Sequence, residues 1–489
     1  TTMAKADSQH TEIATSNVDV PQLPVSSRNI NIPPQTIVLQ LPIEITLQVL
    51  SYLDYVDVTK CTGVCKAWKD LSRDSALWKV LYLRHFYLDV WTKYLYSNVW
   101  EVAGKAQWYQ TFLQAQKIHK HWQNKQIKYS TLKLLPKKRA YACAGFDSKG
   151  RIYVLGGWDD TNKCNKEMML QVYDTHTMRY SVPDLTSGTA PNCRAGMTCI
   201  SLPHVNQLMF FGGQHIAKLP QKIYNDVFIL DTEKLVWRKP ETRGTSPSHR
   251  AWATAELIGN KVYVFGGGGF DSNWKEACLF NDLHVLDLKT MEWSAPETFG
   301  TPPCPRAGHT SSVLSGDTII IHAGGNLGGS QVFGDTFVLN IKTMEWKKLD
   351  VCGDVPGPMG SLNSCVVGKA FYSFGGWHGT VDGVDQGSVS TLYTLNTTTL
   401  KWNVIKPWGD LELVCRSGSA ACFCAGKWYV FGGINNTNRI IADVVVFELE
   451  TITEAKQRRC RTKDKDKSVH ASPKRQRDKR RAANANIHQ

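Results

Sequence analysis

A motif of two adjacent glycines that recurs six times limits the possible folds of this chain more than any other feature. Each copy is a short apolar run that ends in the glycine pair, for example KVYVFGG at 261–267 and KWYVFGG at 427–433. The six pairs are separated by 56, 54, 58, 51 and 57 residues. A repeat of this length predicts a propeller, because a small twisted sheet buries both of its faces only against neighbouring copies.

Each copy contains the same succession of strands. A strand of small residues precedes the glycine-pair strand, and a loop and an alternating strand such as DVFILD at 226–231 follow it. An aromatic residue then comes in the first five copies, at Tyr180, Trp237, Trp293, Trp346 and Trp402. Large rings at this place fill the gap between blades.

The sixth copy has no such aromatic strand. The segment QIKYSTLKL at 126–134, just before the first copy, can supply it, with Tyr129 in the place of the tryptophan. An unpaired outer edge would leave the ring open. We therefore expect an N-terminal strand to close the propeller.

The glycine pair, the spaced aromatic residue and the six copies together resemble the Kelch repeat family over about two thirds of the chain. In antiparallel blades, the connections from the second to the third strand lie on one face, which we call the long-loop face. The turns from the first to the second and from the third to the fourth strand lie on the opposite, short-turn face. Variable loops on a rigid scaffold are where recognition is expected.

An arginine stands at the head of the innermost strand in five copies, with Met359 in its place in the fifth copy. Two interpretations stay open. These guanidinium groups can converge on an acidic or phosphorylated peptide, as arginines at this kind of position do in some Kelch propellers. Alternatively, they are tied into the blades by the recurrent aspartates Asp226, Asp282, Asp335 and Asp443. The arginines are Arg139, Arg194, Arg250, Arg306 and Arg416.

Aromatic residues of the variable loops are further candidates for target binding, because buried aromatic anchors dominate many interfaces. They are Trp158, Trp274, Trp377 and His378. Packing of these side chains onto the blades is the alternative.

A different pattern precedes the propeller, at 41–79. Pro42 suits the first turn of a helix, and Ile45, Val49 and Leu53 recur every four residues to form an apolar stripe. A helical module this small has more apolar surface than it needs for its own core. We therefore expect it to dock on a partner.

This stretch resembles an F-box. The positions that match are Leu41, Pro42, Glu44, Ile45, Val49, Leu50, Leu53, Asp57, Val58, Val64, Cys65, Lys66, Trp68, Leu71, Leu77 and Trp78. The resemblance implies docking to a Skp-type adaptor and, through it, to a cullin–RING ubiquitin ligase. It assigns Trp68 and Trp78 to the core of the module. The predicted adaptor-binding residues are Leu41, Pro42, Ile45, Val49, Leu50 and Leu53.

The predicted fold is mainly β, with a six-bladed Kelch-type propeller preceded by a small all-α F-box module and a helical connector. Five segments are predicted. They are a disordered N-terminal segment at 1–36, the F-box at 37–85, the connector at 86–128, the propeller with its closing strand at 129–452, and a disordered basic tail at 453–489.

The charge of the chain is concentrated in that tail. Residues 455–481 contain 13 lysines and arginines against three aspartates, and so carry +10 of the net charge of +14. A folded nucleic-acid-binding surface is therefore not expected. The stretch PKRQRDKRR resembles a nuclear localisation signal, with Lys474, Arg475, Arg477, Lys479, Arg480 and Arg481 as its basic residues.

Other classes of protein fit this sequence poorly. It shows no apolar run long enough for a membrane span and no readable signal peptide, so we expect a cytoplasmic or nuclear protein without a disulfide framework. The cysteine pairs 61/65 and 422/424 lack partners at zinc-ligand spacing. The histidines do not form the metal set of a Kelch-fold copper oxidase, so no cofactor and no catalysis are expected; they are His249, His309, His322 and His378.

These observations predict the substrate-recognition subunit of a Skp–cullin–F-box ubiquitin ligase, in which the propeller binds the protein to be ubiquitinated. The alternative is a cytoskeletal or nuclear Kelch scaffold without ligase activity, for which the F-box pattern has no explanation.

Overall fold

The computed structural model describes residues 127–132, 137–159, 170–183, 187–215, 222–270, 277–315, 317–326, 328–409 and 412–449. It also describes Leu50, Val58, Lys60, Leu77, Trp78 and Leu81, all of which are helical. The continuous ranges form six sheets of four or five strands, whose neighbouring core strands are antiparallel, and three two-stranded sheets. The predicted six-bladed, mainly β propeller is confirmed.

The strands of each blade run in order from the central channel to the outer wall. Blade 1 contains Cys143–Phe146, Arg151–Leu155, Leu170–Asp174 and Arg179–Ser181; blade 2 contains Thr198–Leu202, Gln207–Phe211, Val227–Asp231 and Val236–Arg238; blade 3 contains Thr254–Ile258, Lys261–Phe265, Leu283–Asp287 and Glu292–Ser294. Blade 4 contains Thr310–Ser315, Thr318–His322, Thr336–Asn340 and Glu345–Lys348; blade 5 contains Asn363–Val367, Ala370–Phe374, Leu392–Asn396 and Lys401–Ile405; blade 6 contains Ala420–Cys424, Lys427–Phe431, Val444–Leu449 and Ile127–Leu132.

The outermost strand of blade 6 comes from the start of the propeller sequence. Ile127–Leu132 pairs antiparallel with Val444–Leu449, and Tyr129 lies opposite Phe447. Trp237 lies opposite Leu230 in the same register of blade 2, so Tyr129 takes the place of the tryptophan. Ile127 pairs with the last residue of the neighbouring strand. The chain therefore enters the propeller from the short-turn face.

The tryptophans fill the space between blades. Trp293 of blade 3 packs against Phe211 of blade 2, with ring centroids 5.4 Å apart. Trp346 of blade 4 packs against Phe265 of blade 3 at 4.8 Å. Both tryptophans are at most 3% exposed. The repeated ring therefore acts as the contact between successive sheets.

The glycine pair is required by backbone geometry at the end of the second strand. Gly267 has a φ of 94°, and a Cβ on it would lie 2.8 Å from the carbonyl oxygen of Ala251. In blade 4 the first place of the pair is taken by Ala323, with a φ of 63°, and Gly324 takes the second. The glycine pair of the fourth copy is thus displaced by one residue from the structurally equivalent position.

Blades 2 to 5 contain a short fifth strand that the sequence pattern did not predict. Two residues of the linker that enters each blade pair in parallel with its outermost strand. Gly188 has a φ of 94°, and a Cβ on it would lie 1.9 Å from the carbonyl oxygen of Trp237. The linker strands are Ser187–Gly188, Arg243–Gly244, Phe299–Gly300 and Cys352–Gly353.

One cysteine of the described ranges differs from the others in its oxidation state. Nine cysteines of the described ranges are free, whereas Cys193 is disulfide-bonded, which departs from the expectation of reduced thiols at that residue. Among the described residues, no helix is long and apolar enough to cross a membrane.

Closure by the N-terminal strand predicts that Tyr129→Ala destabilises the propeller. Tyr129 is 9% exposed, and truncating a buried aromatic residue costs about 3 kcal/mol or more. Met178→Ala is the control, since Met178 is 61% exposed and should change stability by less than about 0.5 kcal/mol. Urea unfolding measures both; equal effects of the two substitutions would contradict the closing role of this strand.

Candidate functional site

The five arginines at the heads of the innermost strands are buried in the blades, with at most 1% of each exposed. Arg250 shows the arrangement. Its Nη1 donates to the carbonyl oxygen of Gly266 at 3.0 Å, and its Nη1 and Nη2 donate to the two carboxylate oxygens of Asp282 at 2.6 and 2.9 Å. One guanidinium group therefore joins the start of the first strand, the end of the second and the start of the third.

Three other blades repeat this contact. Each arginine donates to the carbonyl at the end of the second strand and to the aspartate before the third, as Arg194 does with Gly212 and Asp226. Aromatic rings cover the guanidinium groups of Arg194, Arg250 and Arg306, and the carbon of the Arg250 guanidinium lies 4.3 Å from the centroid of Phe280. The other two sets are Arg306, Ala323 and Asp335, and Arg416, Gly432 and Asp443.

These contacts are those of the second interpretation for four of the five arginines. The predicted aspartate partners Asp226, Asp282, Asp335 and Asp443 are confirmed. Burial acts to raise the pKa of Asp282, but hydrogen bonds from Arg250 and His284 outweigh it and hold that pKa well below its usual value. The arginines are scaffold residues in this structure, and their guanidinium groups are not exposed to an acidic ligand.

Blades 1 and 5 depart from the pattern. In blade 5, Met359 is 1% exposed and packs beside Ala323 and Leu362, and Thr391 stands where the other blades have the aspartate. Both members of the ion pair are thus absent from this blade.

In blade 1, Arg139 donates to the carbonyl of Gly156 at 3.2 Å, and burial lowers the pKa of Arg139 to about 10.

A closed ring of backbone hydrogen bonds surrounds the mouth of the channel. Its members are the second residues after the arginine positions, and each has a φ between 55° and 64°. Each amide donates to the carbonyl of the equivalent residue in the preceding blade at 2.6 to 3.1 Å, and the amide of the first blade donates to the sixth. The ring consists of Tyr141, Gly196, Trp252, Gly308, Ser361 and Gly418.

Three side chains of this ring narrow the mouth. Tyr141 lies across Gly418, and Trp252 lies across Gly196, because a Cβ on either glycine would come within 2.9 Å of the ring that covers it. Burial raises the pKa of Tyr141, a hydrogen bond to Ser361 opposes this shift, and the negative charge of Asp385 adds to it. Sequence reasoning missed this ring; its available signal was the alternation of glycine with larger residues at one repeat position.

A cavity of about 310 Å³ lies along the channel between the innermost strands. In it, Ser311 Oγ donates to Glu256 Oε1 at 2.6 Å, and Thr254 Oγ1 lies 2.9 Å from His309 Nε2. Burial raises the pKa of Glu256 to about 7 and lowers that of His309 to about 3. The channel therefore contains a carboxyl group that titrates near neutral pH. In the described ranges, no three His, Cys, Asp or Glu side chains come together as a metal site would require.

Three of the four predicted loop anchors lie in described residues. Trp158 is half-buried and packs against Tyr141, with ring centroids 4.6 Å apart and ring planes inclined by 47°. Trp377 donates from Nε1 to Asp385 at 2.6 Å, and His378 Nδ1 lies 2.9 Å from the carbonyl oxygen of Pro358. Trp274 lies outside the described residues. The structure thus gives these side chains structural contacts, and their role in binding a target stays a prediction.

Of the predicted adaptor-binding residues, the structure describes Leu50, which is helical and 1% exposed. Its role in adaptor binding stays a prediction. Trp78 is fully buried, as expected of a core residue. The other predicted adaptor-binding residues, Trp68 and the basic residues of the nuclear signal lie outside the described residues.

The Glu256 carboxyl predicts that stability depends on pH. Its pKa is about 7 in the folded protein and about 4 in an unfolded chain, so the folded state binds the additional proton between these values. Stability from this group is therefore present at low pH and lost as pH rises through 7. We expect the native protein to lose more stability than Glu256→Gln between about pH 5 and pH 8.

Urea unfolding at both pH values measures this difference. Glu233→Gln is the control, because the side chain of Glu233 is 50% exposed on the short-turn face. An identical pH dependence of native protein and Glu256→Gln would contradict the assignment.

Comparison with known proteins identifies both parts of the chain. The family described as the KLHDC2/KLHL20/DRC7 Kelch-repeats domain matches residues 140–376, and the F-box-like family matches residues 38–84. Acyl-CoA-binding domain-containing protein 4 of Arabidopsis thaliana is 32% identical over 279 residues, which is 56% of this chain and 39% of the relative. Human host cell factor 1 is 30% identical over 291 residues, which is 54% of this chain and 14% of the relative.

A solved structure, that of YjhT, shares the fold. It aligns with a TM-score of 0.50 at 16% identity and covers 64% of this chain and 97% of its own. The chain spans well under half of the two curated relatives named above, so the similarity concerns one part of each. Together with the six blades, these matches show that the protein has an F-box-like segment followed by a Kelch-repeat β-propeller.

Proposed function

We propose that this protein is the substrate-recognition subunit of a Skp–cullin–F-box ubiquitin ligase. The observation that carries the proposal is the F-box-like match at 38–84 in one chain with a Kelch propeller. In this role the F-box-like segment binds a Skp-type adaptor, which links it to a cullin–RING ligase. The propeller binds the protein to be ubiquitinated and performs no chemistry itself.

The geometry of the propeller supports a division between two faces. The closing strand begins at Ile127, on the short-turn face, so the chain from the F-box-like segment arrives there. The variable loops lie on the opposite face. Target binding on the long-loop face therefore leaves the entry of the chain unobstructed.

We also propose a noncatalytic role for this chain, and three of the histidines compared with a copper-oxidase set have separate partners. His309 contacts Thr254, His322 contacts Thr336, and His378 contacts the carbonyl of Pro358. These contacts lie in different places, so we propose neither a cofactor nor a reaction.

A propeller scaffold without ligase activity is the second candidate. It is favoured by the two curated relatives, neither of which is described as an F-box protein. In either case we propose that the basic stretch from Lys474 to Arg481 directs the protein to the nucleus, because of its dense positive charge.

The proposal predicts that Pro42→Ala combined with Leu53→Asp removes adaptor binding. A charge placed in an apolar docking surface costs more than about 2 kcal/mol, so recovery of adaptor and cullin should fall at least about tenfold. Affinity purification with the proteasome inhibited, followed by mass spectrometry, measures this. Val205→Thr, on the short-turn face of the propeller, is the control. Absence of adaptor and cullin from the native preparation would reject the ligase proposal and leave the scaffold.

The scaffold role of the arginines predicts that Arg250→Ala is strongly destabilising. It leaves the carbonyl of Gly266 without its donor and Asp282 without Arg250. Leaving a buried polar group unpaired costs about 1 to 3 kcal/mol. Arg243→Ala is the matched control, because Arg243 is exposed. If Arg250→Ala unfolds in urea at the same concentration as the native protein, the scaffold role is wrong.

A further inference from the structure

A short hairpin on the long-loop face of blade 5 exposes two apolar side chains. Thr380–Val381 pairs with Val384–Asp385 through a turn at Asp382 and Gly383, and both turn residues have positive φ, 50° and 78°. Val381 and Val384 lie opposite each other across the hairpin and are 56% and 62% exposed. We call Thr380–Asp385 the blade-5 hairpin.

The base of the blade-5 hairpin is tied to blade 6 by one carboxylate. Asp385 accepts hydrogen bonds from Trp377 Nε1 at 2.6 Å, from the amide of Gly387 at 2.8 Å and from Asn438 Nδ2 at 2.7 Å. These donors lower the pKa of Asp385, with Trp377 the largest cause. Asp385 is therefore ionised at neutral pH, and it joins the loops of two blades.

The loop of blade 4 holds the other side of the hairpin. The amide of Thr380 donates to the carbonyl of Gly329 at 2.9 Å. Gly329 also lies against the Trp377 indole, since a Cβ on it would come 2.0 Å from a ring carbon. Three loops thus hold the blade-5 hairpin in one conformation. A preordered element loses little conformational entropy when it binds a partner.

The charge of the blade-5 hairpin selects its partner. Between Trp377 and Val389 the sequence contains Asp382 and Asp385 and no lysine or arginine. The same negative charge acts at the channel mouth, because Asp385 raises the pKa of Tyr141. The arginines of the innermost strands do not offset it at the surface, since Arg306 and Arg416, on either side of blade 5, are fully buried. Arg439, which is exposed and follows Asn438 in the blade 6 loop, supplies one positive charge against the two carboxylates.

We propose that the blade-5 hairpin is the docking element for the target protein, and that its partner is a peptide segment with apolar residues flanked by lysine or arginine. The apolar residues cover Val381 and Val384, and the basic residue faces Asp382. An acidic or phosphorylated segment would meet like charge here. This inference rests on the proposed function, because it names the chemistry of the target of the same propeller.

Selection from a random dodecamer peptide library displayed on phage tests the proposal, with the 489-residue chain immobilised as bait. We expect enriched peptides that combine apolar residues with lysine or arginine. The most enriched peptide is then synthesised, and its affinity is measured by fluorescence anisotropy for the native protein and four variants.

The variants separate apolar contact, charge and anchoring. Val381→Thr with Val384→Thr keeps the shape and the strand preference of both residues, and should weaken binding about tenfold. Asp382→Asn keeps a residue that tolerates positive φ, and should weaken binding about threefold, with a loss of salt dependence. Asn438→Ala removes one anchor of Asp385 and should weaken binding less than the double variant. Val205→Thr is the control, a 48% exposed valine on the opposite face, and should leave affinity unchanged.

Enrichment of acidic peptides, failure of the library to enrich any sequence, or equal affinity of the native protein and the Val381/Val384 double variant would each overturn the inference. Adaptor recovery from the same preparations keeps the two proposals distinguishable. If native protein and double variant bind the adaptor equally and also bind the peptide with the same affinity, the docking role of the hairpin is rejected and the ligase proposal stands. If peptide binding depends on the hairpin but the native protein recovers no adaptor, the ligase function is rejected and the docking role of the hairpin stands.

Discussion

The contact between a buried arginine, a strand-end carbonyl and an aspartate is the interaction on which the rest of the propeller depends. In blade 3, one guanidinium group fixes the start of the first strand, the end of the second and the start of the third. Two residues beyond it, Trp252 adopts positive φ and enters the ring of six backbone hydrogen bonds. In four blades the ion pair and the ring between blades are thus consecutive parts of one segment, so the geometry of the channel mouth there follows from the scaffold.

This use of the arginines changes where recognition is expected. The guanidinium groups of four arginines, which could attract an acidic ligand, are instead paired with Asp226, Asp282, Asp335 and Asp443. The exposed side chains of the long-loop face therefore belong to the variable loops. The sequences of these loops differ between blades. The blade-5 hairpin belongs to this variable set, and it combines two exposed valines with an acidic turn.

Much of the fold could be predicted because its main signals repeat. The glycine pair and an outer-strand aromatic residue recur once per blade, and Tyr129 lies opposite Phe447, in the register that the tryptophans of other blades adopt. The aspartate partners were also predictable, since they stand at one place in four blades. The linker strands such as Ser187–Gly188 were not, because two residues show no periodicity and their pairing depends on a strand about fifty residues away in the chain.

The sequence by itself determined the number of blades, the order of strands within them and the two faces of the ring, because each of these follows from a pattern repeated at a constant period. Only the tertiary structure decided whether the arginines face solvent or carboxylates, since both outcomes place the same residue at the same position of the chain. It also decided which loop side chains remain exposed. Val381 and Val384 stay exposed because loops from three blades meet beneath the hairpin and hold it outward, and such contacts between distant loops leave no repeated pattern in the sequence.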